Sequence, residues 1–200
     1  MAGEADVPGV VDGRRARADR SRTAVVDAVL DLFREGVVRP SVDAVAERAG
    51  VSRRSVFRHY EDLQSLYAAA VEQHVQRITP LVQLVPCNGS LLERIETLVA
   101  HRARLYEEMT PVRVVTERLG SPVPMIDEQV ELGRVVLREQ LIERFRPELE
   151  SAPGGEKDHL IDALEVVSSW STWHVVRTKQ CRSVDDARQV MVLALRGLLG

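Results

Sequence analysis

An all-α fold of about nine helices is predicted by three features of this 200-residue sequence. Apolar residues recur at i, i+3, i+4 and i+7 through most of the chain, which is the period of one buried helical face. The stretches that keep this period are bounded by Ser, Gly and Pro, the residues that start and stop helices. Nowhere does the chain show the strict apolar–polar alternation of a half-buried strand. A hydrophobic content of 44% supplies a substantial core, while 28% charged residues and a mean hydropathy of -0.13 describe a water-soluble surface. No apolar run approaches the ~20 residues that span a bilayer. The opening MAGEADVPGVVDGRRARADR lacks the basic-then-apolar order of a signal peptide. Two lone cysteines, Cys87 and Cys181, fit a reducing cytoplasm.

Residues 1–17 mix Gly, Pro, Ala and charge without apolar period and read as a disordered basic arm. A first helix is expected over about 18–35, with Val25, Val26, Val29, Leu30 and Phe33 as its stripe and Gly36 just past its end. Ser41 then caps a short helix whose Val42, Val45, Ala46 and Ala49 share one face. Gly50 supplies the positive φ of a tight corner, Val51 plugs it, and Ser52 caps a second short helix. These three helices, residues 18–62, form a small unit; residues 63–200 form a larger helical one. The larger unit opens with a helix from Leu63 to about Thr79, ended by Pro80. Its start adjoins the second short helix, a position from which it can carry a signal. Ser90 and Glu93 have the spacing of a capping box and start a helix to about Met109. A short helix over 111–119 follows, then the breakers Gly120, Pro122 and Pro124, then a long helix over 125–145 closed by Pro147. ESAPGGEKD is a loop by composition, and two helices, about 156–178 and 183–199, end the chain.

The chemistry is concentrated in the second short helix. A helix, a glycine corner and a second helix carrying Arg53, Arg54, Arg58 and His59 around an inward Val56 make a helix-turn-helix, which lays its second helix in the major groove of DNA. Arg53, Arg54 and Ser55 open that helix and are the candidates for base edges, where guanidinium groups meet guanine acceptors. The net charge of -3 argues against nucleic acid, but its distribution does not. Residues 1–60 carry 11 Arg against 9 Asp and Glu, and the rest carry 16 basic against 21 acidic residues. Phosphate contact is local, so the patch outweighs the sum. Arg17 and Arg20 belong to the arm, which is either a frayed terminus or a segment that orders on phosphates or in the minor groove.

The run R-x-x-x-V-x-x-A-V-x-x-L-F-R-E-G from Arg22, then S-V-D-A-V-A-E-R-A-G-V-S-R-R-S-V-F-R-H-Y, then an acidic residue and L-Q-S-L-Y, resembles the DNA-binding domain of TetR-family transcriptional regulators. The resemblance covers roughly the first third of the chain. It implies phosphate contacts from Ser41, Ser52 and His59 and places Arg58 at a reader position. Two residues depart from the family pattern. Phe57 stands where Tyr is common, and Leu63 where a Lys is common. Without that Lys, phosphate binding is expected to lean on the N-terminal amides of the fourth helix, with Arg54 restoring charge.

The same resemblance implies a ligand pocket in the helical remainder. Polar residues on apolar stripes are the candidates, His74, Arg102 and His174, with Tyr106, Met109 and Trp170 as walls. Each has a plainer reading. A stripe histidine is commonly a hydrogen-bonded core residue, and Arg102 can answer a buried glutamate. The last two helices, wide in apolar front with Leu193 and Leu199 off the main stripe, are the candidate homodimer interface. No glycine-rich phosphate loop, HExxH, GxSxG or CxxC occurs, and the five histidines have no i, i+4 partner. The sequence therefore predicts neither enzyme, metal nor cofactor. It predicts a ligand-released repressor bound to a palindromic operator on the nucleoid, with an effector-independent architectural DNA binder as the alternative.

Overall fold

In a computed structural model, the described residues are 9–83, 86, 88–119 and 124–200, without the side chains of 9–15, 119, 124–127 and 129. Every element among them is helical. They are α1 (Gly9–Arg34), α2 (Val42–Ala49), α3 (Arg53–His59), α4 (Leu63–Val82), α5 (Leu91–Leu119), α6 (Pro124–Arg144), α7 (Arg146–Ser151), α8 (Lys157–Val167), α9 (Trp170–His174) with a π-helical continuation Val175–Lys179, and α10 (Val184–Leu199). No helix among the described residues is long and apolar enough to cross a membrane.

The chain divides into two units, residues 1–74 with 111–122, and residues 75–110 with 123–200. In the first, Val25, Val29, Leu30 and Phe33 of α1 are buried with Val45 of α2, Val56 of α3, and Leu66 and Ala70 of α4. Gly36 ends α1 in the left-handed region at φ +83, where a side chain is strained. Its N–H and that of Val37 return to the carbonyls of Phe33 and Leu32. Arg48 of α2 grips Glu35 with two bonds of 2.8 and 2.9 Å, and this pairing holds the Glu35 carboxyl below its ordinary range.

In the second unit, Ile95, Leu98, Leu105, Tyr106, Leu141, Phe145, Leu149, Leu164, Trp173 and Leu195 form a core from α5 to α10. Ser90 and Glu93 close the expected box, Ser90 N–H donating to Glu93 at 2.8 Å. Ser183 caps α10 by accepting from Asp186 N–H at 3.0 Å.

Four boundaries differ from the sequence reading. α1 begins at Gly9, so residues 9–17 are helical where an arm was expected, and residues 1–8 lie outside the described residues. α4 runs through Pro80 to Val82; the proline sits in its last turn, and the Thr79 hydroxyl supplies a bond to the Val75 carbonyl at 2.7 Å. α5 is a single helix through Pro111, with buried residues on both sides of it. The expected helix over 156–178 is broken after Val167, where Ser169 caps a new turn by accepting from Thr172 N–H at 3.2 Å. Pro147 does more than close α6, since it sits in the first turn of α7, where a missing N–H costs nothing.

Candidate functional site

The α2–turn–α3 segment is built by local chemistry. The Ser41 hydroxyl accepts from Ala44 N–H at 3.2 Å and fixes the start of α2. Gly50 is left-handed at φ 66, ψ 32, which only glycine adopts without strain. From there Gly50 N–H reaches the Glu47 carbonyl at 3.1 Å and Val51 N–H the Ala46 carbonyl at 3.0 Å. Ser52 accepts from Ser55 N–H at 3.2 Å and starts α3 at once, and the two hydroxyls lie 3.1 Å apart. Such a serine cap stabilises a helix by about 1 kcal/mol.

Val56, 1% exposed, fixes the rotation of α3. With Val56 inward, the 100° helical step puts Arg54 and Arg58 one turn apart on the opposite, outer face. Arg53 and Phe57 share one shoulder of that face, and Ser55 and His59 the other. Arg54 is exposed and has no hydrogen-bond or ion-pair partner among the described residues. Arg58 donates to Nε2 of His59 at 3.5 Å. Arg53 is held 3.3 Å from Asp43 of α2. Phe57 is 48% exposed, an apolar ring presented to solvent. The His59 pKa is pushed below its ordinary value by burial first and by Arg58 and Arg22 next, with Asp19 opposing. A neutral ring accepting from Arg58 is the consequence.

Arg17 and Arg20 are exposed on α1, and Arg20 Nε donates to the Ala16 carbonyl at 3.2 Å. A helix carries them, so a free arm does not. The guanidinium of Arg22 lies 5.8 Å from the Tyr60 ring centre.

The N-terminus of α4 is already occupied. Asp62 accepts from Ser65 N–H at 2.7 Å, and Asp62 N–H donates back to the Ser65 hydroxyl at 3.3 Å. These bonds hold the Asp62 carboxyl below its ordinary pKa. A carboxylate therefore sits on the Ser65 amide, one of those expected to receive phosphate. The Asp-x-x-Ser spacing was the signal for it, and Asp43 is the second acid that sequence reasoning passed over.

The effector candidates fall in both units. His74 is buried in the first. The other five belong to the second and are largely knitted into its core. The Tyr106 hydroxyl donates to the Ser168 carbonyl at 2.7 Å, and its ring lies 6.4 Å from that of Trp173. Trp170 Nε1 donates to the Thr110 hydroxyl at 2.9 Å, while its ring stacks on His174 at 4.7 Å. Met109 is half-buried. Arg102 is 1% exposed and donates from Nη2 to the Leu137 carbonyl at 2.7 Å. Among the described residues no glutamate answers it. Of two clefts among the described residues of this unit, one is lined by α7, α8 and the end of α10 and the other by Gln83, Arg94, Gln140, Glu143 and Arg144 among others; none of the six candidates lines either. Cys181 is exposed, and Cys87 lies outside the described residues, so no pairing can be drawn between them.

Among solved structures, the chain is similar to a TetR-family transcriptional regulator from Streptomyces coelicolor, with a TM-score of 0.67 and 20% identity, over 90% of this chain and 80% of that one. It is also similar to a transcriptional regulator from Rhodococcus sp. Rha1, with a TM-score of 0.60 and 17% identity, over 91% and 95% of the two chains. No family model matches. In sequence it is 32% identical over 116 residues to HTH-type transcriptional regulators of Mycobacterium bovis and Mycobacterium tuberculosis, covering 52% of this chain. The match spans 59% of the length of those relatives. The chain thus has the fold of TetR-family transcriptional regulators, with a sequence likeness to HTH-type regulators.

Proposed function

We propose that this chain is a DNA-binding transcriptional regulator that acts on a two-fold symmetric operator as a homodimer and is released by a small molecule. The observation that carries the reading is the outer face of α3. Arg54 and Arg58 stand one turn apart opposite the buried Val56, with Arg53, Phe57, Ser55 and His59 on the shoulders. Arginines so placed can fork onto guanine acceptors, and the Ser41 and Ser52 caps, with Arg17 and Arg20, are suited to phosphates. A lone helix reads few bases, and a second copy supplies the other half-site about one helical turn away.

The homodimer is supported by α10. Val190 and Leu193, three residues apart on that helix, are 40% and 72% exposed, and Val166 at the end of α8 is 64% exposed. Apolar side chains left in water along the last helices suit a second copy of the same surface. Regulation by a ligand rests on the family fold. Coupling of the usual size, ~1–3 kcal/mol, lowers DNA affinity about 5–150-fold. Such a protein works in the cytoplasm, on the nucleoid.

The test is footprinting on the DNA that flanks the protein's own gene. Protection of two symmetric half-sites, with discrimination against random DNA that persists as salt is raised, is expected. Equal affinity for random DNA at every salt concentration would replace this reading with an architectural one.

A further inference from the structure

Phe57 is out of keeping with the rest of α3 and with the other rings of the chain. Of the three Phe, three Tyr and two Trp, only Phe57 is exposed, at 48%. Phe33 and Tyr67 meet each other, as do Tyr106 and Trp173, and Trp170 stacks on His174. Phe57 has no ring or cation partner of this kind among the described residues. Packing does not ask for it either. Val56 is the one buried residue of α3, and it alone anchors the helix to the core.

The helical step gives the ring its direction. Steps of about 100° from Val56 leave Arg54 and Arg58 about 20° from the midline of the outer face, Phe57 about 80° and Arg53 about 120°. Phe57 therefore stands closer to the centre of the outer face than Arg53, its neighbour one turn away. Arg53, Arg54 and Arg58 are exposed, and Arg53–His59 contains no acid. Whatever covers the ring must also accept these cations, which suits DNA and not the apolar face of another protein. A phenyl ring neither donates to nor accepts from phosphate. On base edges the major groove offers hydrogen-bonding groups and one large apolar group, the C5 methyl of thymine.

We propose that Phe57 reads thymine, its ring covering the C5 methyl of a T·A pair next to the pairs that face Arg54 and Arg58. This deepens the regulator reading by naming a base for the same face, and it rests on that reading for the entry of α3 into the major groove. The selectivity is apolar. Against adenine, guanine or cytosine the same ring would cover N7, O6 or an amino group and give no hydrogen bond in return, which is costly.

The test uses the DNA fragment protected in the footprint, prepared with thymine or with uracil at every T position. Uracil lacks the C5 methyl and keeps every hydrogen-bonding edge. Wild type and Phe57→Ala are titrated against both duplexes by gel shift at one salt concentration, with far-UV circular dichroism to confirm that the variant is folded. Wild type is expected to prefer the thymine duplex by about 4-fold per half-site and about 15-fold over two, the worth of one buried methyl in each. In Phe57→Ala that preference should shrink by the same factor, while affinity for the uracil duplex stays near that of wild type. A wild type indifferent to the methyl groups overturns the proposal, and so does a variant that keeps the full preference. Equal weakening on both duplexes would put the ring against sugar carbons or make it a support of the helix, and also overturns it. Tight, sequence-selective binding without methyl preference sinks the thymine assignment alone, whereas absence of any protected DNA sinks the regulator reading with it.

Discussion

The arginines on the outer face of α3 and the paired arginines of the second unit meet opposite environments. On α3 they stand on an exposed face, with Arg54 unpaired among the described residues and Arg58 bonded only to a neutral ring. In the second unit four of them, Arg94, Arg134, Arg138 and Arg177, clasp carboxylates on other helices. Arg94 holds Glu148, Arg134 and Arg138 share Glu165, Arg138 also takes Asp162, and Arg177 holds Glu107, which accepts from Trp173 Nε1 as well. The same residue type is thus a cross-link between helices of the second unit and, at Arg54 and Arg58 on the outer face of α3, an open donor. A count of arginines does not identify a binding face; the number with unsatisfied donors in water does.

The largest effect expected from this contrast is on the open set. Arg54→Ala with Arg58→Ala should weaken binding to the protected DNA by roughly 30-fold or more, since each guanidinium contact is worth about 1–3 kcal/mol. The fold should be untouched, because both side chains project away from Val56. A gel shift at fixed salt, with far-UV circular dichroism as the control, measures both. An unchanged midpoint would mean that α3 is only a solvated surface helix.

The paired set should respond in stability instead. Arg94 and Glu148 have side chains only 13% and 18% exposed, and Arg94 also donates to the Arg144 carbonyl at 2.7 Å. Pairing holds the Glu148 carboxyl below its ordinary pKa, so the stabilisation is present above that range and is lost as acid protonates it. Glu148→Ala leaves a half-buried guanidinium without its counter-ion and should cost about 1–3 kcal/mol in urea unfolding. DNA affinity per folded molecule should not change.

The contrast also marks what sequence could disclose. Ser41, Gly50 and Ser52 announced α2 and α3 because caps and left-handed corners act within four residues. Pro111 was misleading for the opposite reason. A proline in a helix interior costs about 3 kcal/mol, and only packing can offset it. Leu105 and Tyr106 before it, and Val112 and Val115 after it, are all buried, and a local rule sees none of that. Ser169 could have been read as a cap, with Thr172 three residues on, had the apolar period through Trp170 not been allowed to outweigh it. The outer face of α3 was legible from helical spacing alone. That Arg53 meets Asp43, that Asp62 caps the Ser65 amide of α4 and that no acid among the described residues meets Arg102 were not, because each depends on side chains brought together or kept apart by the fold.

His59 gives a smaller, pH-dependent effect. Its pKa is depressed in the free protein, so it is neutral near pH 7. A phosphate beside it would raise that pKa, and binding would then take up a proton. Affinity should rise as pH falls from about 7.5 toward about 6 and be lost again as pH climbs through the bound-state pKa. His59→Gln should flatten the profile by a few fold without altering the salt slope of the arginines. A profile as steep in the variant as in the wild type would remove His59 from the phosphate set.

The smallest effect tests whether a paired arginine on α3 counts as open or closed. Arg53 and Asp43 are 62% and 66% exposed at 3.3 Å, an ion pair of a kind worth at most ~1 kcal/mol. Asp43 also sets a carboxylate where phosphates would approach. Asp43→Ala removes both the competing partner and the repulsion, so DNA binding should strengthen by about 2–5-fold while stability moves by less than ~0.5 kcal/mol. If binding weakens instead, Asp43 is aiming Arg53 and does not occupy it in competition with DNA. Pairing in the first unit would then be a means of pre-orienting a donor, and the line between the two sets of arginines would run through burial, not through partnership.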